Sequence, residues 1–314
     1  MMAAVSDADP FAPGLSFDPA WPRAGSWLRR ESADHAGDAL LDLALLGIPA
    51  FRTSLSPTGA HATPTAVRDA LLRYSTHAHG LDLDSLVVAD LGDVPEPDGR
   101  DGEERVITAV ADAASRARLV VALGGDNSVT YGTALGAWGT ALPTAGLITL
   151  DAHHDLRDGE SNGSPVRRLL DAGLDGGRVV QIGIADFANS RTYSERARDA
   201  GITVIGRDDV ADRGIGAAVA EALAIAGAAG GPVHVDLDVD VCDRSVAPGC
   251  PASVPGGISA HELRRAAFLL ALDSRVSSLD ITEVDATADT PDLRTVRLAA
   301  LCVLEAAAGL AARA

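Results

Sequence analysis

Residues 146–170 read GLITLDAHHDLRDGESNGSPVRRLL, and the apolar run at the start of this stretch ends in Asp151, His153, His154 and Asp155. A second acidic group, Asp236, Asp238 and Asp240, lies in the run GPVHVDLDVDV at 231–241. Side chains alternate faces along a strand, so Asp151, His153 and Asp155 point one way and His154 the other if the chain stays extended. By the same rule His234, Asp236, Asp238 and Asp240 share a face. Carboxylates converging in a cleft cannot all remain ionised without counter-charge. Two divalent cations would balance Asp151, Asp155, Asp238 and Asp240, and oxygen ligands with an imidazole suit manganese better than a structural zinc. Either motif alone is usually a cap or a solvated edge; the two together, each at a strand end, point to metal. Cys242 and Cys250 flank the second motif without CxxC spacing and read as packed thiols. His77 and His79, just after a predicted helix, read as a solvated loop.

The elements that must position these groups are legible as short apolar runs at 40–50, 85–92, 118–125, 146–151, 178–184, 201–206, 231–241 and 276–284. Val, Ile and Leu fill both faces of these runs, the pattern of buried parallel strands. Helical stretches alternate with them: TPTAVRDALLRYS, EERVITAVADAASRA, GSPVRRLLDAG, YSERARDAG, GAAVAEALAIAG, SAHELRRAAFLLAL and the closing DLRTVRLAALCVLEAAAGLAARA. This alternation predicts an α/β fold, a mostly parallel sheet with helices on both faces. Residues 1–38, rich in Pro, Asp and Ser, are expected to form an arm, and 39–314 a single catalytic domain. In open parallel sheets the functional crevice lies outside the carboxyl ends of the strands. Four runs deliver polar groups there: Asp126, Asn127 and Ser128; Asp151, His153 and Asp155; Asp236, Asp238 and Asp240; and Glu283.

Composition excludes several classes. The 314 residues carry a formal net charge of −18, and all 26 basic residues are Arg. No basic stripe exists to meet a nucleic-acid backbone, and without Lys there is neither a Schiff-base lysine nor a Walker-type phosphate lysine. A hydrophobic share of 47% provides for a real core. No run is long and apolar enough to span a bilayer, the first residues lack the pattern of a signal peptide, and three cysteines do not make an even-numbered disulfide frame. A cytoplasmic protein with reduced thiols and no membrane partner is expected.

Over residues 44 to 310 the chain resembles the ureohydrolases, the family of arginase, agmatinase and formimidoylglutamase. The motifs that carry this are GIPAFRTSLSPTGAHATPTAVRDAL, GGDNS, DAHHD, DLDVDVCDRSVAPGCPASVPGG and DITEVD. The resemblance implies an arginase-like three-layer α/β/α sandwich with a binuclear manganese centre. It also implies that Asp151, His153, Asp155, Asp238 and Asp240 are metal ligands, Asp151 and Asp238 bridging, and that Glu283 holds the substrate's amidine or guanidine. Two positions depart from the family pattern. Asn127 stands where a His ligand is usual; its amide oxygen can ligate manganese, but more weakly, so the ion beside it is expected to be loosely held. Asp236 stands where the family tends to have Ser or Thr.

Within the family, LDAHHDLR, SNGSPVRRL and IGIADFANSRTY are most similar to the formimidoylglutamase branch. The implied reaction is hydrolysis of N-formimidoyl-L-glutamate to L-glutamate and formamide, a step of histidine breakdown, with Asp155 and Glu283 catalytic. Arg157, Asn162, Ser164, Asn189 and Glu283 are the expected substrate contacts. The two carboxylates of that small-molecule substrate call for cationic partners; Arg157 is placed for one, with Arg167 or Arg191 as alternatives for the other. A guanidino-acid or agmatine hydrolase releasing urea, and a degenerate member that only binds a ligand, are the competing readings. The resemblance also implies a homo-oligomer.

Overall fold

The computed structural model describes residues 14–16, 18–25, 40–78 and 80–313. Its main sheet has eight strands: β1 (Leu41–Ile48), β4 (Val88–Asp93), β5 (Ala117–Gly124), β6 (Gly146–Leu150), β7 (Val179–Ile184), β8 (Thr203–Gly206), β9 (Val233–Asp238) and β10 (Val276–Thr282). Their order is β4-β1-β5-β10-β9-β6-β7-β8, and every pairing is parallel. Two short strands, β2 (His77–Ala78) and β3 (Leu81–Asp82), form a separate antiparallel hairpin. His77 therefore begins this hairpin rather than lying in an open loop, while His79 falls outside the described residues. Each of the eight predicted runs is a strand, and β5, β6, β9 and β10 are mostly buried along their length. Parallel strands need crossover segments, and these put helices on the sheet's faces.

On one face lie α1 (Thr63–Leu71), α7 (Ile215–Ala226), α8 (Ala260–Leu272) and α9 (Arg294–Ala311). They pack with Leu43, Leu45, Val121, Val235 and Leu279 in the largest apolar cluster. On the other face α2 (Arg100–Arg116) packs with Ala44, Leu46 and Val120, while α3 (Val129–Trp138), α4 (Pro165–Asp171) and α5 (Arg191–Asp199) pack with Leu147 and Val179. One further helix, α6 (Arg207–Arg213), follows β8. The result is a three-layer α/β/α sandwich. The predicted arm is described only at 14–16 and 18–25, where Ala24 is buried in the main cluster and donates its N–H to the Tyr74 carbonyl at 3.0 Å. No helix of the described residues is long and apolar enough to cross a membrane.

The helix α3 has no counterpart among the predicted elements. Gly132 and Gly136 face α2 so closely that a Cβ at Gly132 would lie 2.9 Å from Val106 Cγ1, and one at Gly136 2.6 Å from the Ile107 carbonyl oxygen. The two glycines weaken α3 as an isolated helix and make its packing possible.

Candidate active site

The four strands that deliver polar groups, β5, β10, β9 and β6, are consecutive neighbours in the middle of the sheet. Their carboxyl ends therefore converge. After β5, Gly125 is the point of closest approach, since a Cβ there would sit 1.8 Å from the Ala50 carbonyl oxygen. Asp126 and Asn127 follow, and α3 begins two residues later.

Strand β6 ends at Leu150, so residues 151–155 form a loop and their convergence does not come from strand alternation. Hydrogen bonds shape that loop. Asp151 Oδ1 accepts the His153 N–H at 2.6 Å, and Asp240 Oδ1 accepts the Ala152 N–H at 2.9 Å. Asp240 itself lies past the end of β9, in a short turn where its N–H donates to Asp238 Oδ1 at 2.8 Å. His154 points away, as expected, with Nδ1 2.7 Å from Gln181 Oε1. Asp155 and Glu283 have φ of 54° and 61°, left-handed values that cost side-chain-bearing residues energy and that cluster at functional sites.

Asp151, His153 and Asp240 bring one donor atom each to within 4.8 Å of one another. His153 Nδ1 lies 2.7 Å from Asp240 Oδ2 and 3.5 Å from Asp151 Oδ1. Burial, reinforced by Asp240, raises the Asp151 carboxyl to about 6. Asp155 and Asp238 are pushed well above the carboxylate range, by burial first and then by neighbouring carboxylates. Burial acts against protonated His153, but Asp240 and Asp151 outweigh it and raise the imidazole to about 12. Asp240 is the exception among these acids: burial raises it, and His153 more than reverses that. Asp151 Oδ2 is buried and has no hydrogen-bond partner among the described residues. A dense, largely buried acidic cluster holding one imidazole and an orphaned carboxylate oxygen fits a hard divalent cation such as manganese.

Asn127 reaches this cluster with its nitrogen foremost. Its Nδ2 donates to Asp155 Oδ2 at 2.5 Å, while Oδ1 accepts from Thr130 Oγ1 at 2.7 Å and Thr282 Oγ1 at 3.3 Å. The amide oxygen expected to ligate metal is thus turned to two hydroxyls. Glu283 Oε1 accepts from the Asn127 backbone N–H and from Asn162 Nδ2, both at 2.8 Å. Burial first, then the charge of Asp126, raises Glu283 to about 7.

A cavity of about 350 Å³ opens above the cluster, lined by Asp155, Asp238, Asp240 and Glu283 on its acidic side and by Arg157, Asn189 and Tyr193 elsewhere. Arg157 stands 5.9 Å from the Tyr193 ring centroid, and among the described residues its guanidinium makes no ion pair. Asn162 lines the cavity, and its Oδ1 accepts the Leu55 N–H at 3.0 Å. Asn189 lines it too while bracing the 151–155 loop, accepting from the His154 N–H at 3.0 Å and donating to the Ala152 carbonyl at 2.8 Å.

Three expected contacts are not brought to the cavity. Ser164 is fully buried, its hydroxyl tied to the Ser161 backbone as acceptor at 2.9 Å and donor at 2.8 Å. Arg167 is spent on Asp171 and on the carbonyls of Arg157 and Gly159. Arg191 is 91% exposed and pairs with Glu195 at 2.8 Å. The sequence reading missed Thr130, Thr282 and Tyr193. For Thr282 a signal existed: alternation along β10 puts Ser278, Asp280 and Thr282 on one face.

Comparison with known proteins agrees with this architecture. The arginase-family model matches residues 41–309. The chain is 39% identical over 272 residues to formimidoylglutamase of Halalkalibacterium halodurans, an alignment covering 83% of this chain and 84% of that protein. The crystal structure of formimidoylglutamase from Bacillus subtilis superposes with a TM-score of 0.88 at 31% identity, covering 96% of this chain and 95% of that one. That of Trypanosoma cruzi formiminoglutamase with Mn2+ shares the fold, with a TM-score of 0.84 at 24% identity over 94% of this chain and 100% of that one. A match over most of the length, on a sheet whose central strand ends gather these acids, has one meaning: the chain belongs to the arginase family.

Proposed function

We propose that this chain is a manganese-dependent formimidoylglutamase, converting N-formimidoyl-L-glutamate and water to L-glutamate and formamide, with residues 39–314 acting as one catalytic domain. The observation that carries the substrate is the polarity of the cavity, whose floor is acidic and whose wall bears Arg157. A cationic amidine joined to a carboxylate-bearing chain matches both ends. Agmatine, which has no carboxylate, leaves Arg157 unused.

Asp151, His153, Asp155, Asp238 and Asp240 are the residues that would hold two manganese ions, with the ion nearest Asn127 held more loosely. When bound, the metal supplies Lewis acidity that makes water a nucleophile near neutral pH. The chain's own groups do the rest. Both donors to Glu283 bind Oε1, which leaves Oε2 to pair with the formimidoyl cation and orient its carbon. Asp155 accepts the proton of the attacking water and returns it to the departing nitrogen. The carbon–nitrogen bond to glutamate breaks, the water oxygen becomes the oxygen of formamide, and the second proton of the water leaves on the glutamate nitrogen, which departs as an ammonium.

The test is to load metal-free protein with Mn2+ under anaerobic conditions and measure L-glutamate released from N-formimidoyl-L-glutamate. Release that depends on Mn2+ is expected. No glutamate from metal-loaded protein, with urea released from a guanidino acid instead, overturns the substrate. Asp238→Ala should abolish both Mn2+ binding and turnover, and full activity in that variant removes Asp238 from the metal site.

A further inference from the structure

Residues 51–59 join β1 to the start of the α1 region and bring Leu55 and Ser56 to the cavity wall. The segment has no regular structure of its own and is fastened by side chains. Asp98 Oδ1 accepts the N–H groups of Phe51 at 3.0 Å and Arg52 at 2.8 Å. Asn162 Oδ1 accepts that of Leu55 at 3.0 Å, and Asp285 Oδ2 accepts that of Gly59 at 2.8 Å. Asn162 also reaches the floor of the cavity, where its Nδ2 donates to Glu283 Oε1 at 2.8 Å. A backbone N–H can only donate, so Leu55 fixes the Asn162 oxygen toward the segment and the nitrogen toward Glu283, whatever proton Glu283 carries. Asp98 stands outside the cavity lining. Its pairing with Arg52 is long, at 4.0 Å, and the Arg52 side chain is 70% exposed, so the two backbone bonds are its main contribution.

We infer that Asp98 is a positioning residue for Glu283, acting through the 51–59 segment and Asn162. Asp98 seats the segment at Phe51 and Arg52, and the seated segment presents the Leu55 N–H. That N–H sets the Asn162 amide, and the amide holds Glu283 Oε1 so that Oε2 faces the amidine. The wall that carries Leu55 and the carboxylate on the floor are thereby set by one chain of bonds, in which no residue read as a metal ligand takes part. This inference rests on the reading of Glu283 as the group that orients the amidine.

The experiment is a double-mutant cycle on the Mn2+-loaded protein, read by L-glutamate release from N-formimidoyl-L-glutamate and, without substrate, by amide hydrogen exchange. Asp98→Ala should lower kcat about threefold to tenfold, the scale of a lost hydrogen bond, with little change in KM. Asp98→Asn, which keeps an acceptor oxygen but not the charge, should restore kcat. In an Asn162→Ala background the same Asp98→Ala change should alter kcat by less than about twofold, since residues acting through a common partner are not additive. Equal losses in both backgrounds, no loss in either, or no rescue by Asp98→Asn overturn the inference. A loss confined to KM does so as well, because the segment would then touch substrate without acting on Glu283. If Asp98→Ala does not fold, Leu55→Pro, which deletes the N–H itself, must lower kcat more than Leu55→Ala, and only while Asn162 is present. Without substrate, the Asn127 N–H that Glu283 accepts should exchange about threefold faster or more in Asp98→Ala. Unchanged exchange overturns the inference whatever the substrate is. Faster exchange with no glutamate released leaves it standing and removes only the substrate.

Discussion

Glu283 shows what a single side chain does here and how burial tunes it. One of its oxygens is fully occupied by the Asn127 backbone N–H and Asn162 Nδ2, and the carboxylate lines the cavity beside Asp155. Replacing a charge that pairs with a buried cation costs about 2–5 kcal/mol, so Glu283→Gln should lower kcat/KM by about 30-fold to several thousand-fold. Mn2+ affinity measured by calorimetry should stay close to that of the parent. A large loss of metal binding in Glu283→Gln would mean that Glu283 ligates metal rather than holding the substrate. The acids of this site were readable from the chain because acids at the ends of apolar runs are conspicuous. The orientation of Asn127 was not, because it depends on hydroxyls from Thr130 and Thr282, which become neighbours only when α3 and β10 are packed. Ser164 was misplaced for the same reason: its hydroxyl closes a local turn on Ser161, and nothing in its spacing separates that role from a place in the cavity.

At the scale of elements, the eight strands of the main sheet were legible, while the helices α3 and α6 were not. Runs such as RLVVALGG and GPVHVDLDVDV are apolar on both faces because helices cover both sides of the sheet. Helix α3 escapes the same logic. It is mostly buried, so it lacks the polar stripe that marks a surface helix, and Gly132 and Gly136 resemble loop residues. Those glycines set how close α3 can come to α2, and the GGDN segment leads from β5 into α3. Gly136→Val would drive its side chain against the Ile107 carbonyl and Val110, whose atoms lie 2.6 and 2.8 Å from the Cβ position. Overpacking of this kind costs about 1–3 kcal/mol, which should appear as a lower denaturation midpoint in urea, with the slope unchanged. An unchanged midpoint would mean that the two helices are not held at this separation. The loop at 151–155 was also beyond reach of pattern reasoning, because the left-handed turn at Asp155 breaks the alternation on which that reasoning relies.

For the whole molecule, the acids that make the site also make the metal-free protein sensitive to pH. Folding raises Asp151 to about 6 and Glu283 to about 7, in both cases chiefly through burial, and carries Asp155 and Asp238 well above their ordinary range. An acid with a raised folded pKa keeps a proton that the unfolded chain releases, so stability falls as pH climbs from the unfolded pKa toward the folded one. His153 contributes with the same sign. Its folded value of about 12 exceeds the ordinary one, so its stabilisation also diminishes with rising pH. Asp240, held low by His153 against the effect of burial, contributes in the opposite sense, but through a titration that is complete below pH 5. Between pH 5 and 8 the raised groups therefore dominate, and the overall charge of −18 adds repulsion as the acids ionise. Manganese replaces the missing protons with positive charge, and its binding is favoured by deprotonation of the ligands. Thermal unfolding in EDTA should show Tm falling by about 5 °C or more from pH 5 to pH 8, while the Mn2+-loaded protein should lose less or gain. The separation between the two curves must widen with pH. Parallel curves would mean that the cluster does not exchange protons for metal, and that its carboxylates are neutralised by one another and by His153 alone.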